Sequence, residues 1–374
     1  MGVWIKMSIE NIDKSAYIDT SDTDDEILDV YNSEGEKIGV CTRGEIHRNG
    51  YYHKVVHCWF ENIHEDKKYY YFQQRAMYKS YPGQYGVMVG GHIDSGEEEY
   101  TALIREISEE AGITASDEKI DFIGQIVENI VENTFIDNEI CRVYRYTPDF
   151  DEKFNPNKEV ARIVRIEEKE YKKCIFGVSE TAVGEVISVS NQEHMEIKAP
   201  GDKIEIRKDD FCEYDLKYIK FVTGMDDDEF FMWEALAEAK KAYDKEETPI
   251  GAVIVKDGEV IGRGHNLTEF FQDSTAHSEI LAIKDAGNTL GGWRLFGCTL
   301  YVTMEPCIMC CGAIVNSRIR NVVIGAKRVK NAKIEKQSDF KKEFFTDSKV
   351  EYKYGVLEEE CAGILTDFFG RLRK

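Results

Sequence analysis

Two short stretches, TAHSE at residues 275–279 and EPCIMC at residues 305–310, decide how the C-terminal part of this chain folds and what it can bind. They supply one imidazole, from His277, and two thiolates, from Cys307 and Cys310. Three protein ligands leave the fourth tetrahedral position of a zinc ion to water, which is typical of a catalytic rather than a structural zinc site. The two cysteines are three residues apart, so they share one face of a predicted helix whose N-terminus favours thiolates.

Glu279 is two residues from the predicted ligand His277 and is the candidate catalytic residue of this site. Zinc lowers the pKa of a bound water to about 7, and a neighbouring carboxylate can carry the proton from this water to a leaving amine. A lone histidine or a lone cysteine pair is more often packed in a core, but the full set at this spacing favours catalysis. The adjacent Cys311 is expected to be a small buried apolar residue.

The segments around these stretches predict a layered α/β sheet, because strands and helices alternate. Acidic residues at 226–228 occupy the first turn of a predicted helix, which then shows an apolar face at helical spacing. We therefore expect domains at 25–222 and 223–374, after a mobile acidic lead-in at 1–24. The other elements expected in the second domain are strands at 252–256, 259–264, 299–303 and 321–325, and helices at 276–286, 307–317 and 357–373.

A second pattern lies in the N-terminal part, GHIDSGEEEYTALIREISEEAGI at residues 91–113. Glu106, Glu109 and Glu110 are at positions i, i+3 and i+4, so a regular helix directs all three carboxylates to one side. Crowded carboxylates repel one another and need a divalent cation between them. Oxygen ligands suit Mg²⁺ or Mn²⁺, which can bridge a diphosphate. The alternative is a solvated acidic helix face.

Arg105, inside the same stretch, is expected to pair with Glu97 and to hold the preceding loop on the helix. The helix is predicted over 98–111, with Gly112 as its C-cap. Residues 167–222 carry little pattern. The strands predicted in the N-terminal part are 27–31, 55–60, 69–74, 120–127 and 140–146.

The bulk composition limits the classes of protein to which the chain can belong. An apolar content of 42% is enough for packed cores, and the apolar runs are much shorter than the roughly 20 residues that span a bilayer. The N-terminus shows no secretion signal, and the chain has ten cysteines. We therefore expect a cytoplasmic protein with thiols or metal ligands rather than disulfides, and no membrane partner.

The net charge of −22 is uneven along the chain. Residues 226–374 carry a net charge of only −4, and residues 318–342 hold nine basic but two acidic side chains. A run of charged residues usually forms a solvent-exposed face, but this basic run follows soon after the predicted zinc ligands at residues 305–310. A phosphate-binding edge is therefore the alternative.

Over nearly all of residues 226–374 the sequence resembles the bacterial tRNA adenosine deaminases of the cytidine deaminase superfamily. The resemblance implies a three-layer α/β/α domain and the zinc-dependent deamination of adenosine to inosine at the wobble position of tRNA. It also implies a homodimer that acts on the anticodon loop, and that Asn266 hydrogen-bonds the flipped base. A turn asparagine after a strand is the alternative for that residue. Besides the zinc-type stretches, the resemblance rests on PIGAV at 249–253, GHN at 264–266, WRL at 293–295 and TLYVTME at 299–305.

Residues 91–113 resemble a complete Nudix box, the motif of pyrophosphohydrolases. The resemblance implies a Nudix fold, which is a mixed sheet between helices, and a small diphosphate as substrate. It also implies that Glu106, Glu109 and Glu110 bind Mg²⁺ or Mn²⁺ and that Glu109 is catalytic.

Within this class the chain resembles isopentenyl diphosphate isomerase most. Gly90 stands where the isomerase has its catalytic cysteine, and a glycine cannot transfer a proton, so hydrolysis is expected rather than isomerisation. The likeness implies a second metal site, with satisfied polar residues as an equal alternative. The likeness to the isomerase is found at its metal-ligand positions, which correspond here to His47, His53, His92, Asp137 and Glu139.

Three functions stay open at this point. The chain is a bifunctional enzyme, with a Nudix hydrolase joined to a tRNA adenosine deaminase, or its deaminase acts on free purine or pyrimidine bases or nucleotides. In the third alternative the Nudix domain is a non-catalytic nucleotide-binding module. The basic run favours RNA over free bases, and the intact Nudix box favours hydrolysis over binding.

Overall fold

The computed structural model describes residues 25–132, 135–190, 199–328 and 345–373. The chain forms two compact units. The first contains the described residues of Met1–Tyr171 and Thr181–Val222, and the second contains those of Lys172–Glu180 and Thr223–Lys374. The predicted lead-in at 1–24 and residues 329–342 of the basic run lie outside the described residues. Across the described ranges, no helix is long and apolar enough to cross a membrane.

The first unit is built on one large mixed sheet. Its strands are β1 (Ile27–Tyr31), β2 (Lys37–Thr42), β3 (Tyr52–His64), β4 (Lys67–Arg75), β5 (Tyr85–Val87), β6 (Val89–His92), β7 (Ile120–Glu132), β8 (Phe135–Tyr146), β9 (Val160–Glu167), β10 (Thr181–Val189) and β11 (Lys203–Arg207). They follow the order β11-β10-β9-β4-β3-β1-β2, with β5 on β4, β6 and β8 on β3, and β7 on β8. The pairing of β3 with β8 is parallel, whereas that of β7 with β8 is antiparallel.

Alternation along β3 separates the core of this unit from its candidate site. Val56, Cys58 and Phe60 are buried in the hydrophobic core together with Leu103. Successive side chains of a strand point to opposite faces, so His53 and His57 face away from that core. The helices between Ile27 and Thr223 are α1 (Arg43–Asn49), α2 (Glu99–Glu106), α3 (Glu168–Ile175) and α4 (Leu216–Thr223).

The predicted helix over 98–111 is regular only in its first part. Helix α2 is followed by a wider helical turn over Ile107–Ala111, which ends at Gly112 with a left-handed φ of 65°. The predicted C-cap is therefore confirmed. A Cβ on Gly112 would lie 1.7 Å from the carbonyl oxygen of Asn155, so the neighbouring chain also requires glycine at this position.

The second unit has a five-stranded sheet over its described residues. Its strands are β12 (Gly251–Lys256), β13 (Glu259–His265), β14 (Thr299–Met304), β15 (Asn321–Ala326) and β16 (Glu351–Tyr354), in the order β13-β12-β14-β15-β16. β12 is antiparallel to both of its neighbours, and β14, β15 and β16 run parallel. The further helices that lie entirely within the described residues are α5 (Asp227–Asp244), α6 (Thr268–Phe271), α7 (Ser278–Leu290), α8 (Ile308–Asn316) and α9 (Glu358–Leu372).

Close contacts at glycines show that helices cover both faces of this sheet. A Cβ on Gly251 would lie 2.1 Å from Ala235 of α5, and one on Gly264 would lie 2.3 Å from the carbonyl oxygen of Ser278 of α7. Gly264 pairs with Ala252, the residue after Gly251, so the two glycines lie on opposite faces. The second unit is thus a three-layer α/β/α fold, as predicted.

Candidate metal centres and their cavities

The two stretches TAHSE and EPCIMC come together in the second unit. Nδ1 of His277 lies 3.6 Å from Sγ of both Cys307 and Cys310, and the two sulfur atoms are 3.5 Å apart. A tetrahedral zinc ion with Zn–S bonds of about 2.3 Å and Zn–N bonds of about 2.0–2.1 Å needs N···S and S···S separations of roughly 3.6 and 3.8 Å. The three side chains therefore fit a zinc ion.

The starts of two helices position these three residues. His277 is the N-cap of α7, Cys307 is the N-cap of α8, and Cys310 lies in the first turn of α8. The hydrogen bond with Cys310 lowers the pKa of Cys307 to about 5, against the opposite effect of burial. The lowered pKa favours the thiolate form of Cys307, which is the form that binds a metal.

Glu279 lies in the first turn of α7, one residue beyond Ser278, and is 4% exposed. Ser278 Oγ donates a hydrogen bond of 3.0 Å to Glu279 Oε2. Burial raises the pKa of Glu279, and the charge of Cys307 raises it further. A raised pKa makes a carboxyl group a better proton acceptor than an ordinary glutamate, as suits a proton carrier.

A cavity of about 400 Å³ opens beside these residues and is lined by His277, Glu279, Asn266 and Glu247, with Phe368 of α9. This volume lies within the range of small-molecule binding sites, which is roughly 300–1,000 Å³. Aromatic and polar side chains in one cavity suit a flat heterocyclic base with hydrogen-bonding edges.

Asn266 is held in this cavity by a network that the sequence patterns do not reveal. Its Nδ2 donates to Oε2 of the buried Glu247 at 3.0 Å, and its Oδ1 accepts from Thr268 Oγ1 at 2.9 Å. The second oxygen of Glu247 accepts from the backbone N–H of Phe270 at 2.7 Å. One N–H of the Asn266 amide and one lone pair of its oxygen are left to face a ligand.

In the first unit, Arg105 joins the loop before α2 to the helix. Its Nε and Nη2 donate to the two carboxylate oxygens of Glu97 at 3.1 and 2.9 Å. Nη2 also donates to the carbonyl oxygen of His92 at 3.2 Å. The predicted pairing of Arg105 with Glu97 is confirmed, and the hydrogen bonds from Arg105 lower the pKa of Glu97.

The three glutamates of α2 and the following turn differ in their surroundings. The side chain of Glu109 is 53% exposed, whereas Glu110 is buried and accepts the backbone N–H of Gly90 at 2.8 Å. Burial raises the pKa of Glu106 to about 8 and that of Glu110 to about 7. Among the described residues, the clusters of potential ligands within 4.8 Å of one another do not include this trio. The wider turn over Ile107–Ala111 changes the spacing that a regular helix predicts.

The structure gathers the predicted histidines in the same unit. Ligand atoms of His47, His53 and His92 lie within 4.8 Å of one another, and so do those of His53, Asp137 and Glu139. Both His47 Nε2 and His53 Nε2 are 3.6 Å from Asp137 Oδ1. His53 is fully buried and its Nε2 makes no hydrogen bond within the described part of the chain. A buried nitrogen of this kind fits a metal ligand.

A second cavity, of about 270 Å³, lies between these two groups in the first unit. Its lining includes Glu106, Glu109, Glu110, Asp137 and Glu139, and basic side chains such as Arg75 and Lys79. Acidic groups that can hold cations beside basic groups that can bind phosphate suit a diphosphate and its divalent ion.

Comparison with known families divides the chain in the same way as its motifs. The NUDIX domain family matches residues 52–176. The family described as the cytidine and deoxycytidylate deaminase zinc-binding region matches residues 225–326. The first contains Glu106, Glu109 and Glu110, and the second contains His277, Cys307 and Cys310.

Individual proteins are similar to about two fifths of the chain. The tRNA-specific adenosine deaminase of Bacillus subtilis (strain 168) is 51% identical over 150 residues, which are 40% of this chain and 93% of that protein. The tRNA-specific adenosine deaminase of Aquifex aeolicus (strain VF5) is 45% identical over 145 residues, which are 39% of this chain and 95% of that protein. A solved structure from work on A-to-I editing by tRNA:A34 deaminases at the wobble position is 44% identical. The match covers 36% of this chain and 98% of the chain in that structure, with a TM-score of 0.34.

Proposed function

Because this chain belongs to the family of the tRNA-specific adenosine deaminases and also carries a NUDIX domain, we propose that it is a bifunctional enzyme. Its C-terminal domain, residues 223–374, converts adenosine at the wobble position of tRNA to inosine. Its N-terminal domain, residues 25–222, hydrolyses a small diphosphate. The observation that carries the first activity is the tetrahedral spacing of His277, Cys307 and Cys310 beside the buried Glu279.

In the deaminase domain, His277, Cys307 and Cys310 would hold zinc, and Glu279 moves the proton. Zinc supplies a Lewis acid that makes water nucleophilic near neutral pH. Glu279 accepts a proton as the water oxygen attacks C6 of adenine, and then donates it to the departing amino group, which leaves as ammonia. Its burial and raised pKa suit both steps.

Asn266 binds the edge of the base, and Glu247 positions Asn266. The hydrogen bonds from Asn266 to Glu247 and from Thr268 to Asn266 fix the orientation of the amide. Because the orientation is fixed before the base arrives, the remaining donor and acceptor meet the base without a reorganisation cost.

The direct test is to incubate the full chain with a tRNA that bears adenosine at the wobble position and to sequence the product for inosine. The control is the same tRNA with guanosine at that position, and a parallel assay measures ammonia release from free adenine, guanine, cytosine and their nucleosides. Ammonia from free bases without inosine in the tRNA would contradict the proposal and favour the free-base alternative.

In the NUDIX domain, Glu106, Glu109 and Glu110 would bind Mg²⁺ or Mn²⁺, with Glu109 in the catalytic role. The support for this is the acidic and basic lining of the cavity of about 270 Å³. His47, His53 and His92, with Asp137 and Glu139, would form a second metal site in the same cavity region. The cations that these two groups of residues would hold would neutralise the charge of the diphosphate during attack by water.

We further propose that the deaminase domain forms a homodimer, on the resemblance to the deaminase family. The mass in solution, measured by light scattering across a range of protein concentrations, tests this. A mass of one chain at every concentration would contradict it.

A further inference from the structure

We propose that His57, Glu128 and Cys141, completed by Glu139, form a separate binding site for a transition-metal ion, such as zinc, in the first unit. This site is distinct from the three-histidine cluster and from the glutamates that follow α2. Three of its members, His57, Glu128 and Glu139, also line the cavity of about 270 Å³.

The register of three strands brings these side chains to one face of the sheet. Glu139 and Cys141 are two residues apart on β8, so they point the same way. On β3, which runs parallel, His53 pairs with Glu139 and His57 with Val143, which places His57 beside Cys141 on that face. On β7, Glu128 pairs directly with Glu139.

The distances are short enough for the four side chains to share one metal ion. One ligand atom from each of His57, Glu128 and Cys141 lies within 4.8 Å of the others. Cys141 Sγ is 3.6 Å from Glu139 Oε2, and His57 Nε2 is 3.8 Å from the same oxygen. Around a zinc ion with ordinary bond lengths, sulfur and oxygen ligands are roughly 3.6 Å apart and nitrogen and oxygen ligands roughly 3.4 Å apart. Small side-chain movements therefore complete the site.

The cluster also contains a polar atom that its surroundings do not satisfy. Glu128 is 6% exposed, and its Oε2 makes no hydrogen bond to any described residue. An unsatisfied carboxylate oxygen in a buried position destabilises the folded chain, and a bound cation removes that cost.

Tyr218 orients His57 in the way that a metal ligand requires. Nδ1 of His57 is 2.8 Å from the Tyr218 hydroxyl, which also accepts a hydrogen bond of 2.9 Å from Trp59 Nε1. When the hydroxyl accepts a hydrogen bond from the Nδ1–H of His57, Nε2 carries the free lone pair of the ring, and this atom faces Glu139. Metal-binding histidines generally donate their second ring N–H to a fixed acceptor in this manner.

The set of donors selects the class of metal. One thiolate, one imidazole and two carboxylates suit zinc, cobalt or ferrous iron, whereas Mg²⁺ prefers oxygen ligands alone. Glu139 belongs both to this cluster and to the one with His53 and Asp137, so its two oxygens can bridge two ions.

Cobalt(II) tests the proposal because a cobalt–thiolate bond gives a charge-transfer absorption that histidine and carboxylate ligands do not give. The experiment uses the full chain with Cys307→Ala and Cys310→Ala, so that the other thiolate pair is absent. After removal of metals with a chelator, the protein is titrated with Co²⁺ and its absorption and bound metal are measured. We expect a thiolate absorption that reaches saturation, to which cobalt bound at the three histidines or at the glutamates that follow α2 contributes nothing.

Adding Cys141→Ala to this background should abolish the absorption, whereas adding Cys58→Ala should leave it unchanged. Cys58 is a matched control because it is also fully buried in the same sheet but packs in the hydrophobic core. Glu128→Gln, which keeps the size of the side chain, should weaken cobalt binding on the order of 10- to 100-fold or more. Absence of the absorption in the background protein, or its survival in Cys141→Ala, overturns the proposal. If Cys141→Ala does not fold, unchanged affinity in Glu128→Gln overturns it instead.

Discussion

The side-chain amide of Asn266 donates a hydrogen bond of 3.0 Å to the carboxylate of Glu247, a residue that is 2% exposed and lies 19 positions earlier in the chain. This pair fixes which edge of the amide faces the cavity beside His277. In the proposed mechanism Glu247 is therefore a positioning residue for the base, although it contributes no chemistry of its own to the reaction.

Glu247→Gln should lower kcat/KM for deamination about 10- to 100-fold, because a hydrogen bond to a charged group contributes about 1.5–3 kcal/mol. Zinc content should not change. Glu246→Gln is the control, since Glu246 is exposed, lines the same cavity and is adjacent in sequence. If Glu247 acts through Asn266, the double variant with Asn266→Ala should be no worse than Asn266→Ala alone. Additive losses would contradict a positioning role.

Glu279→Gln should retain bound zinc but lose deaminase activity by a factor of about 10²–10⁴, since it removes the proton carrier while keeping the shape of the side chain. Metal analysis and the inosine assay are carried out on the same preparation. Loss of zinc from this variant would show that Glu279 is a ligand instead.

Cys307→Ala should lose both zinc and activity, because a site with two remaining protein ligands binds zinc weakly. Cys311→Ala provides the control: Cys311 directly follows Cys310 in α8 and is buried, but does not belong to the cluster of His277, Cys307 and Cys310. The control should keep its full zinc content. Equal zinc in Cys307→Ala and wild type rules out ligation by Cys307.

Glu109→Gln should abolish the release of phosphate from diphosphate substrates in the presence of Mg²⁺ or Mn²⁺, while deamination is unaffected. A panel of nucleoside and prenyl-type diphosphates is the measurement, with the exposed Glu118→Gln as control. If wild type and Glu109→Gln are equally inert on every member of the panel, the NUDIX domain is a binding module.

Without added divalent metal, the folded chain should lose stability as the pH rises from about 5 to about 8. Burial raises the pKa of Glu106 to about 8 and of Glu110 to about 7, from the ordinary 4.5. In this window the folded chain keeps protons that the unfolded chain releases, so the stabilisation is complete below pH 4.5 and is lost through pH 7–8.

Thermal unfolding at several pH values measures this effect, and Glu106→Gln should flatten the dependence. Mn²⁺ should restore stability most at high pH, where the carboxylates that bind it are ionised. A wild-type protein that becomes more stable than Glu106→Gln as the pH rises without metal would argue against the assignment.

The sequence predicts those parts of the candidate sites whose residues are only a few positions apart in the chain. His277, Cys307, Cys310 and Glu279 could be identified because each lies at the start of a helix, where a few consecutive residues determine the geometry. Glu247 could not, because its role depends on a chain reversal that brings it to Asn266.

Two other features depend on contacts that no local pattern records. The residues of Ile107–Ala111 are compatible with a regular helix, so the wider turn that buries Glu110 and exposes Glu109 could not be predicted from them. The approach of His57 to Cys141 depends on the register between β3 and β8. The pairing of Glu128 with Glu139 depends on a register shift in β7 near Gly124. The register between strands that are far apart in sequence cannot be predicted from the amino-acid sequence of one protein alone.

The contact between Gly264 and α7 bears on attempts to retarget this enzyme by directed evolution. A methyl group on Gly264 would collide with the carbonyl of Ser278, the residue between the proposed zinc ligand His277 and the proposed proton carrier Glu279. Any larger side chain there requires the backbone at Ser278 to shift, without altering the composition of the cavity wall. A mutant library confined to cavity-lining positions would therefore miss this position, and saturation of Gly264 belongs in its design.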